Sequence, residues 1–136
     1  MSYSVSRLTT VSECDAAIMQ ANDLKGDLEF ENTLLTRERV GRERTAIQID
    51  TNLVSVTAQL AAFQAAREVM QPGIDRDNMD STIRRLNDRK ENLEERKAKT
   101  GNLALLDNEL EQSRNSLQIT EIDDFIAAVE VHKATL

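Results

Sequence analysis

The chain has 136 residues, of which 40% are hydrophobic and 30% charged, and its net charge is −7. Aromatic residues make up only 3%, and there are 4 glycines and 1 proline, so the sequence encodes few turns. This composition argues against β-sandwiches and doubly wound α/β folds and is typical of long helices. The acidic charge argues against binding to nucleic acid or to anionic membranes. Without an apolar targeting segment or a membrane span in the sequence, we expect a cytoplasmic protein.

A single heptad frame extends over residues 11–70. Its a and d positions repeat with 3-4 spacing, which puts their side chains in one line along a helix that another helix must cover. These positions, here called the heptad seam, are Val11, Cys14, Ile18, Ala21, Lys25, Leu28, Asn32, Leu35, Arg39, Arg42, Ala46, Ile49, Leu53, Val56, Leu60, Phe63, Arg67 and Met70. Thr9, Thr10 or Ser12 can cap the helix. The only cysteine, Cys14, lies in the seam, so we expect it to be buried rather than reactive.

The seam loses its apolar character only over residues 37–44. Arg39 and Arg42 occupy consecutive a and d positions there, where burial would cost hydration without an evident partner. Gly41 could adopt the conformation of a residue just past a helix end, and Thr45 with Gln48 resembles a new N-terminal capping box. We therefore expect a hairpin at residues 39–44, and a continuous helix of about 60 residues as the alternative. The candidate partner-binding site is the arginine cluster at this hairpin tip: Arg37, Arg39, Arg42 and Arg44.

The helix expected over residues 45–71 is apolar around most of its circumference. In addition to the seam it carries Ile47, Val54, Ala58, Ala61, Ala62, Ala65 and Ala66. A helix of this kind is normally buried on more than one side, so we expect it at the centre of a bundle or in a subunit interface. A secondary row on the preceding helix is expected to complete the bundle core, and it consists of Met19, Phe30 and Leu34.

Pro72 and Gly73 predict a chain reversal at residues 72–76, followed by a helix over residues 76–99 that Asp75 or Asp77 can cap. This helix has charged flanks and a narrow apolar line made of Met79, Ile83, Leu86, Lys90 and Leu93. Gly101 predicts a second stop at residues 100–102. The last helix, 102–134, is expected to pack through Leu103, Leu106, Leu110 and Leu117 and then through Ile122, Ile126 and Val129. The step of five residues after Leu117 indicates a stutter or a short break.

No cluster of residues carries recognisable chemistry. The four glycines are too widely spaced for a phosphate-binding loop. The only histidine, His132, cannot supply the two Glu-x-x-His pairs of a dimetal bundle, and we expect it on the surface near a helix C-terminus. The sequence therefore predicts no catalytic residues, no metal site, no cofactor and no small-molecule substrate.

The expected fold is all-α, an antiparallel up-down bundle of about four long helices with coiled-coil-like packing, in one domain over residues 1–136. The helices are predicted at about 11–38, 45–71, 76–99 and 102–134. The expected function is a non-catalytic structural or protein–protein interaction module that forms homo-oligomers. The alternative is a chaperone or holdase of the coiled-coil hairpin type, which binds unfolded or partner proteins.

Overall fold

The computed structural model describes residues 2–136, which contain helices and no β-strand. After a 3-10 turn at Val5–Arg7, α1 spans Val11–Glu68 and α2 spans Ile74–Arg96. A π-helical segment, Lys97–Asn102, joins α2 directly to α3, which spans Leu103–Lys133. The all-α prediction is confirmed, but the prediction of four long helices is wrong, because these residues form two long helical runs. Within residues 2–136, no helix is both long enough and apolar enough to cross a membrane.

The chain divides into two compact units, and the first consists of residues 2–38 together with Asn108–Leu136. In this unit the start of α1 packs antiparallel to α3. Lys133 Nζ lies 2.5 Å from Asp15, and Lys25 Nζ lies 2.7 Å from Asp123. Partners on α3 thus have falling residue numbers as α1 advances, which defines the antiparallel direction.

Within the first unit, the residues that precede α1 pack on α3. The ring of Tyr3 meets Phe125 edge to face at 5.0 Å between centroids, and its hydroxyl bonds to Glu121. The pKa of Tyr3 is raised, chiefly because this bond to a carboxylate favours the protonated phenol. His132 Nε2 lies 2.7 Å from the carbonyl oxygen of Leu8. His132 is therefore half-buried against the N-terminal segment, contrary to the expectation of a surface residue.

The second unit is Arg39–Asp107, in which the rest of α1 packs antiparallel to α2. Its buried centre is formed by Val56, Leu60 and Leu93, with Leu53, Ile83 and Leu86 packed around them. Two ion pairs fix the direction of the helices. Arg67 Nε lies 2.5 Å from Asp80, and Lys97 Nζ lies 2.9 Å from Asp50.

The heptad seam is confirmed residue by residue. Every predicted a and d position from Cys14 to Met70 is buried or half-buried, and only Val11 at the helix start is exposed. The line predicted on α2, from Met79 to Leu93, is likewise buried or half-buried. Removing this apolar surface from water is the main stabilising contribution to each helix pair.

The predicted hairpin at residues 39–44 is wrong, because α1 runs through them without a break. Arg39 and Arg42 are only half-buried, and Arg39 Nε reaches Glu43 at 3.1 Å. Long arginine side chains can cover a seam with their methylene groups while the guanidinium stays at its edge. Thr45 starts no helix; its hydroxyl donates to the carbonyl of Gly41 at 3.1 Å, one turn back. The helix bounds predicted at 38 and 45 are therefore also wrong.

The ends of α1 and the start of α2 test the predicted helix caps and the predicted break between these helices. Thr10 caps α1, because its Oγ1 accepts from the backbone N–H of Glu13 at 3.1 Å. The helix break predicted from Pro72 and Gly73 is confirmed, because non-helical residues separate α1 from α2, but α2 already begins at Ile74, so the predicted bounds 72–76 are wrong. Gly73 precedes α2 with φ 157° and ψ −169°, a conformation that is essentially restricted to glycine. Among the described residues no side chain caps α2, so the predicted cap by Asp75 or Asp77 is wrong; both lie in its first turn.

The stop predicted at residues 100–102 is also wrong, because the π-helical segment carries the chain on into α3. Buried positions on α2 repeat with 3-4 spacing up to Lys97, and those on α3 do so from Leu105 onward. Between Leu93 and Gly101 the interval is one residue longer than a heptad. A π-turn holds one extra residue per turn, so it absorbs the insertion and keeps the seam on the same side.

The leucine row, defined as Leu103, Leu106, Leu110 and Leu117, lies on the outside of α3 and not in its seam. The inner positions at this level are polar, and Asn108 and Asn115 are buried. Asn108 donates to the carbonyl oxygen of Leu35 at 2.9 Å, and Gln112 donates to Asn108 at 2.7 Å. The step of five residues after Leu117 is therefore a change from the outer face to the inner face. α3 is continuous, so there is no break, and its inner positions keep 3-4 spacing from Leu105 to Val129, so there is no stutter.

Candidate interaction surface

A second line of apolar side chains follows the outside of α1 in the second unit. This outer row consists of Val40, Arg44, Ile47, Thr51, Val54, Ala58, Ala61 and Ala65, all of them exposed. Ile47 is 65% exposed and Val54 is 71% exposed, whereas Val56 in the seam is 1% exposed. The spacing alternates between four and three residues, so the row is a second heptad line on the same helix. The expectation that this stretch would be buried on more than one side is wrong for the chain by itself.

The charges near the outer row are arranged to leave it apolar. Asp50 is the only acidic residue between Ala46 and Arg67. Its carboxylate forms an ion pair with Lys97, whose Nζ lies 2.9 Å from Asp50 Oδ1. The carboxylate therefore points toward the π-helical segment and away from the outer row. Along the row itself no charge occurs between Arg44 and Glu68.

Cross-helix ion pairs follow one pattern in both units. Four cations at seam positions reach an aspartate just outside the seam of the opposite helix, in the pairs Lys25–Asp123, Arg67–Asp80, Lys97–Asp50 and Lys133–Asp15. Hydrogen bonds to these carboxylates raise the pKa values of Lys25, Arg67 and Lys133, and the bond from Arg67 lowers the pKa of Asp80. Each cation thus fills a seam position while its charge stays at the edge of the helix pair.

Further apolar side chains are exposed outside the outer row. On α1 of the first unit, Met19 and Phe30 are exposed, as is Leu34, so the prediction that this secondary row completes a bundle core is wrong for the chain alone. On α3 the whole leucine row is exposed, and Leu117 reaches 70%. Isolated exposed leucines are ordinary on a protein surface, but lines of them at heptad spacing are typical of helices that pack on another helix.

The arginine cluster is divided between two environments. Arg39 and Arg42 lie in the seam and are half-buried, whereas Arg37 and Arg44 are exposed. All four are on the continuous part of α1, so no hairpin tip gathers them. Of the four, only Arg44 belongs to the outer row, where it marks one end of the apolar stretch.

Other features of the described residues offer little chemistry. An open apolar groove of about 280 Å³ lies beside Tyr3 in the first unit, and Gln20 and Glu121 are its polar lining residues. Glu121 already accepts the bond from Tyr3. Cys14 is fully buried, as its seam position predicts. Residues 2–136 contain no group of three or more His, Cys, Asp or Glu side chains placed to hold a metal ion.

Comparisons of the chain with protein-family models, with curated proteins and with solved structures give no match. The surface must therefore be interpreted from its own residues. Sequence reasoning identified Ile47, Val54 and the alanines as surplus apolar residues but placed them in a core. Their regular 4-3 spacing beside an already complete seam was the signal that they form a separate line.

Proposed function

We propose that this protein is a non-catalytic structural or protein–protein interaction module that self-associates through helix packing. The observation that carries the proposal is the outer row of α1, in which Ile47 and Val54 are mostly exposed although they continue a heptad pattern. Apolar lines of this kind are stable in water when another helix covers them.

The rest of the molecule supports a binding role rather than catalysis. The ion pairs and buried asparagines described above are used within the helix pairs, where they fix register and direction. The exposed apolar lines have no such internal use. In the proposed module the inner contacts of the paired helices set their register, and the exposed outer faces bind protein.

A photo-crosslinking experiment tests this function in the cells that make the protein. A photoreactive amino acid replaces Val54 in one variant and Arg89, an exposed residue of α2, in a control variant. We expect the Val54 variant to form discrete adducts with protein, including the protein itself, and the Arg89 variant to form few. Equal labelling from both positions, or adducts from neither together with a strictly monomeric purified protein, would overturn the proposal.

A second candidate function is that of a holdase for unfolded or partner proteins. It is favoured by the exposed Met19 and Phe30, because flexible and aromatic apolar side chains adapt to varied clients. The test is aggregation of a chemically unfolded enzyme in the presence of this protein. Suppression that is lost in a Met19→Ser/Phe30→Ser variant would support the holdase role, and aggregation at the control rate would eliminate it.

A further inference from the structure

The outer row is asymmetric along its length. Its first half carries the large side chains Val40, Ile47 and Val54, and its second half carries the small side chains Ala58, Ala61 and Ala65. Arg44 stands near one end, and Glu68, the last residue of α1, stands near the other. Both charged residues are exposed. The row therefore has a large, basic half and a small, acidic half.

These two halves are complementary when a second copy of the row runs in the opposite direction. Heptad geometry allows an antiparallel register centred at the level of Val56. In this register the residue numbers rise along one copy as those of the facing positions fall along the other. In that register Ile47 faces Ala65 of the second copy, and Val54 faces Ala58 of the second copy. Thr51 faces Ala61, so between residues 47 and 65 each larger side chain of the row meets an alanine. At both ends of the contact Arg44 faces Glu68 of the other copy.

We propose that a second copy of this chain covers the outer row, with the two α1 helices antiparallel and related by a two-fold axis at the level of Val56. This proposal rests on the proposed function and gives the self-association a surface and a register. A parallel arrangement would place Arg44 beside Arg44 and Ile47 beside Ile47. It would lose both the charge and the size complementarity, so the antiparallel register is favoured.

The second copy is favoured over an unrelated helix because the row matches itself. A two-fold interface must be self-complementary, and the opposed charges and opposed sizes of the two halves meet that condition. The contact from residue 44 to residue 68 is about 37 Å long at 1.5 Å per residue, enough for several turns of helix packing. Ala58, Ala61 and Ala65 put one small side chain into each facing pair, which lets the two helix backbones approach closely.

Sedimentation equilibrium of the full-length protein over a range from about 1 to 500 μM tests the proposal. We expect a monomer–dimer equilibrium that is weakened at least about tenfold by Val54→Asn. The control is Val69→Asn, which replaces an even more exposed valine outside the outer row and should leave the equilibrium unchanged. Circular dichroism of each variant checks that helix content is preserved.

Charge reversal tests the register. Arg44→Glu and Glu68→Arg are each expected to weaken the dimer, whereas the double variant R44E/E68R restores it, because every facing pair is again opposite in sign. A dimer that V54N does not weaken, or reversals without mutual rescue, would overturn the proposal. A monomer at all concentrations would overturn it too. If Val54 still crosslinked to another protein in that case, the interaction function would stand and self-pairing alone would fail.

Discussion

Gly101 lies directly against Ala46: a Cβ atom placed on the glycine would stand 3.8 Å from both Cα and Cβ of Ala46. This contact lies in the π-helical segment, where the seam of α2 passes into that of α3. Because the interval from Leu93 to Gly101 is one residue longer than a heptad, the extra residue is needed for the π-turn but not for the seam.

The first prediction follows from that insertion. Deleting Lys99, an exposed residue of the π segment, should convert the segment to α-helix and leave Leu93, Gly101 and Leu105 facing the seam. We expect the melting temperature to change by only a few degrees. Deleting Arg89, an exposed residue in the middle of α2, is the control and should destabilise the fold strongly, because it rotates the seam residues beyond it out of register. Equal destabilisation by both deletions would contradict this explanation of the π-turn.

The second prediction concerns pH and the ion pair between Arg67 and Asp80. The bond from Arg67 lowers the pKa of Asp80, so the pair stabilises the folded state fully above the unfolded-state value of about 3.9. That stabilisation is lost as the pH falls through the lower folded-state pKa.

Asp80→Asn should therefore lower the melting temperature at pH 7, and the difference from the unmodified protein should vanish toward pH 2. Thermal melts at a series of pH values measure this difference. Asp88→Asn, on the same helix and exposed, serves as the control and should show little effect at either pH. A difference caused by Asp80→Asn that persists unchanged at pH 2 would rule out the ion pair as its source.

The third prediction separates the two buried asparagines. Asn108 donates a hydrogen bond to Leu35, whereas Asn115 Nδ2 has no acceptor within residues 2–136. A buried polar group without a partner costs about 1–3 kcal/mol, so Asn115→Leu should stabilise the protein by an amount of that order. Asn108→Leu should gain much less, because it also removes a satisfied bond. Chemical denaturation of both variants gives the comparison, and a larger gain from Asn108→Leu would refute it.

The sequence was sufficient to predict the seam, because apolar residues at 3-4 spacing can share only one face of a helix. The sequence was insufficient to predict that the helix continues through residues 37–44. An arginine at a seam position interrupts helix packing only if it is fully buried, and the sequence does not show how deeply each seam position is buried. Arg39 and Arg42 are only half-buried and Arg39 pairs with Glu43 at 3.1 Å, so the seam tolerates them and the helix continues.

The sequence pattern also did not predict which face of α3 is buried. Counting apolar residues assigns Leu103 to Leu117 to the core, yet Asn108 and Asn115 occupy it. The bond from Asn108 to the carbonyl of Leu35 makes this possible, and it joins residues far apart in sequence. The sequence showed that the outer-row residues are surplus to the seam. It did not show that they form one exposed line, because that requires α1 to be continuous.

That continuity is the central claim, because Val40, Arg44 and Ile47 share one line only if no turn separates them. Gly41→Ala tests it most directly. In the middle of a helix, with no atom within 4 Å of the new Cβ, alanine should stabilise the protein by about 1 kcal/mol in chemical denaturation. Gly73→Ala, at φ 157°, should instead destabilise it and serves as the reference for a glycine in a turn. A loss of stability from Gly41→Ala comparable to that from Gly73→Ala would contradict the continuous helix and, with it, the outer row.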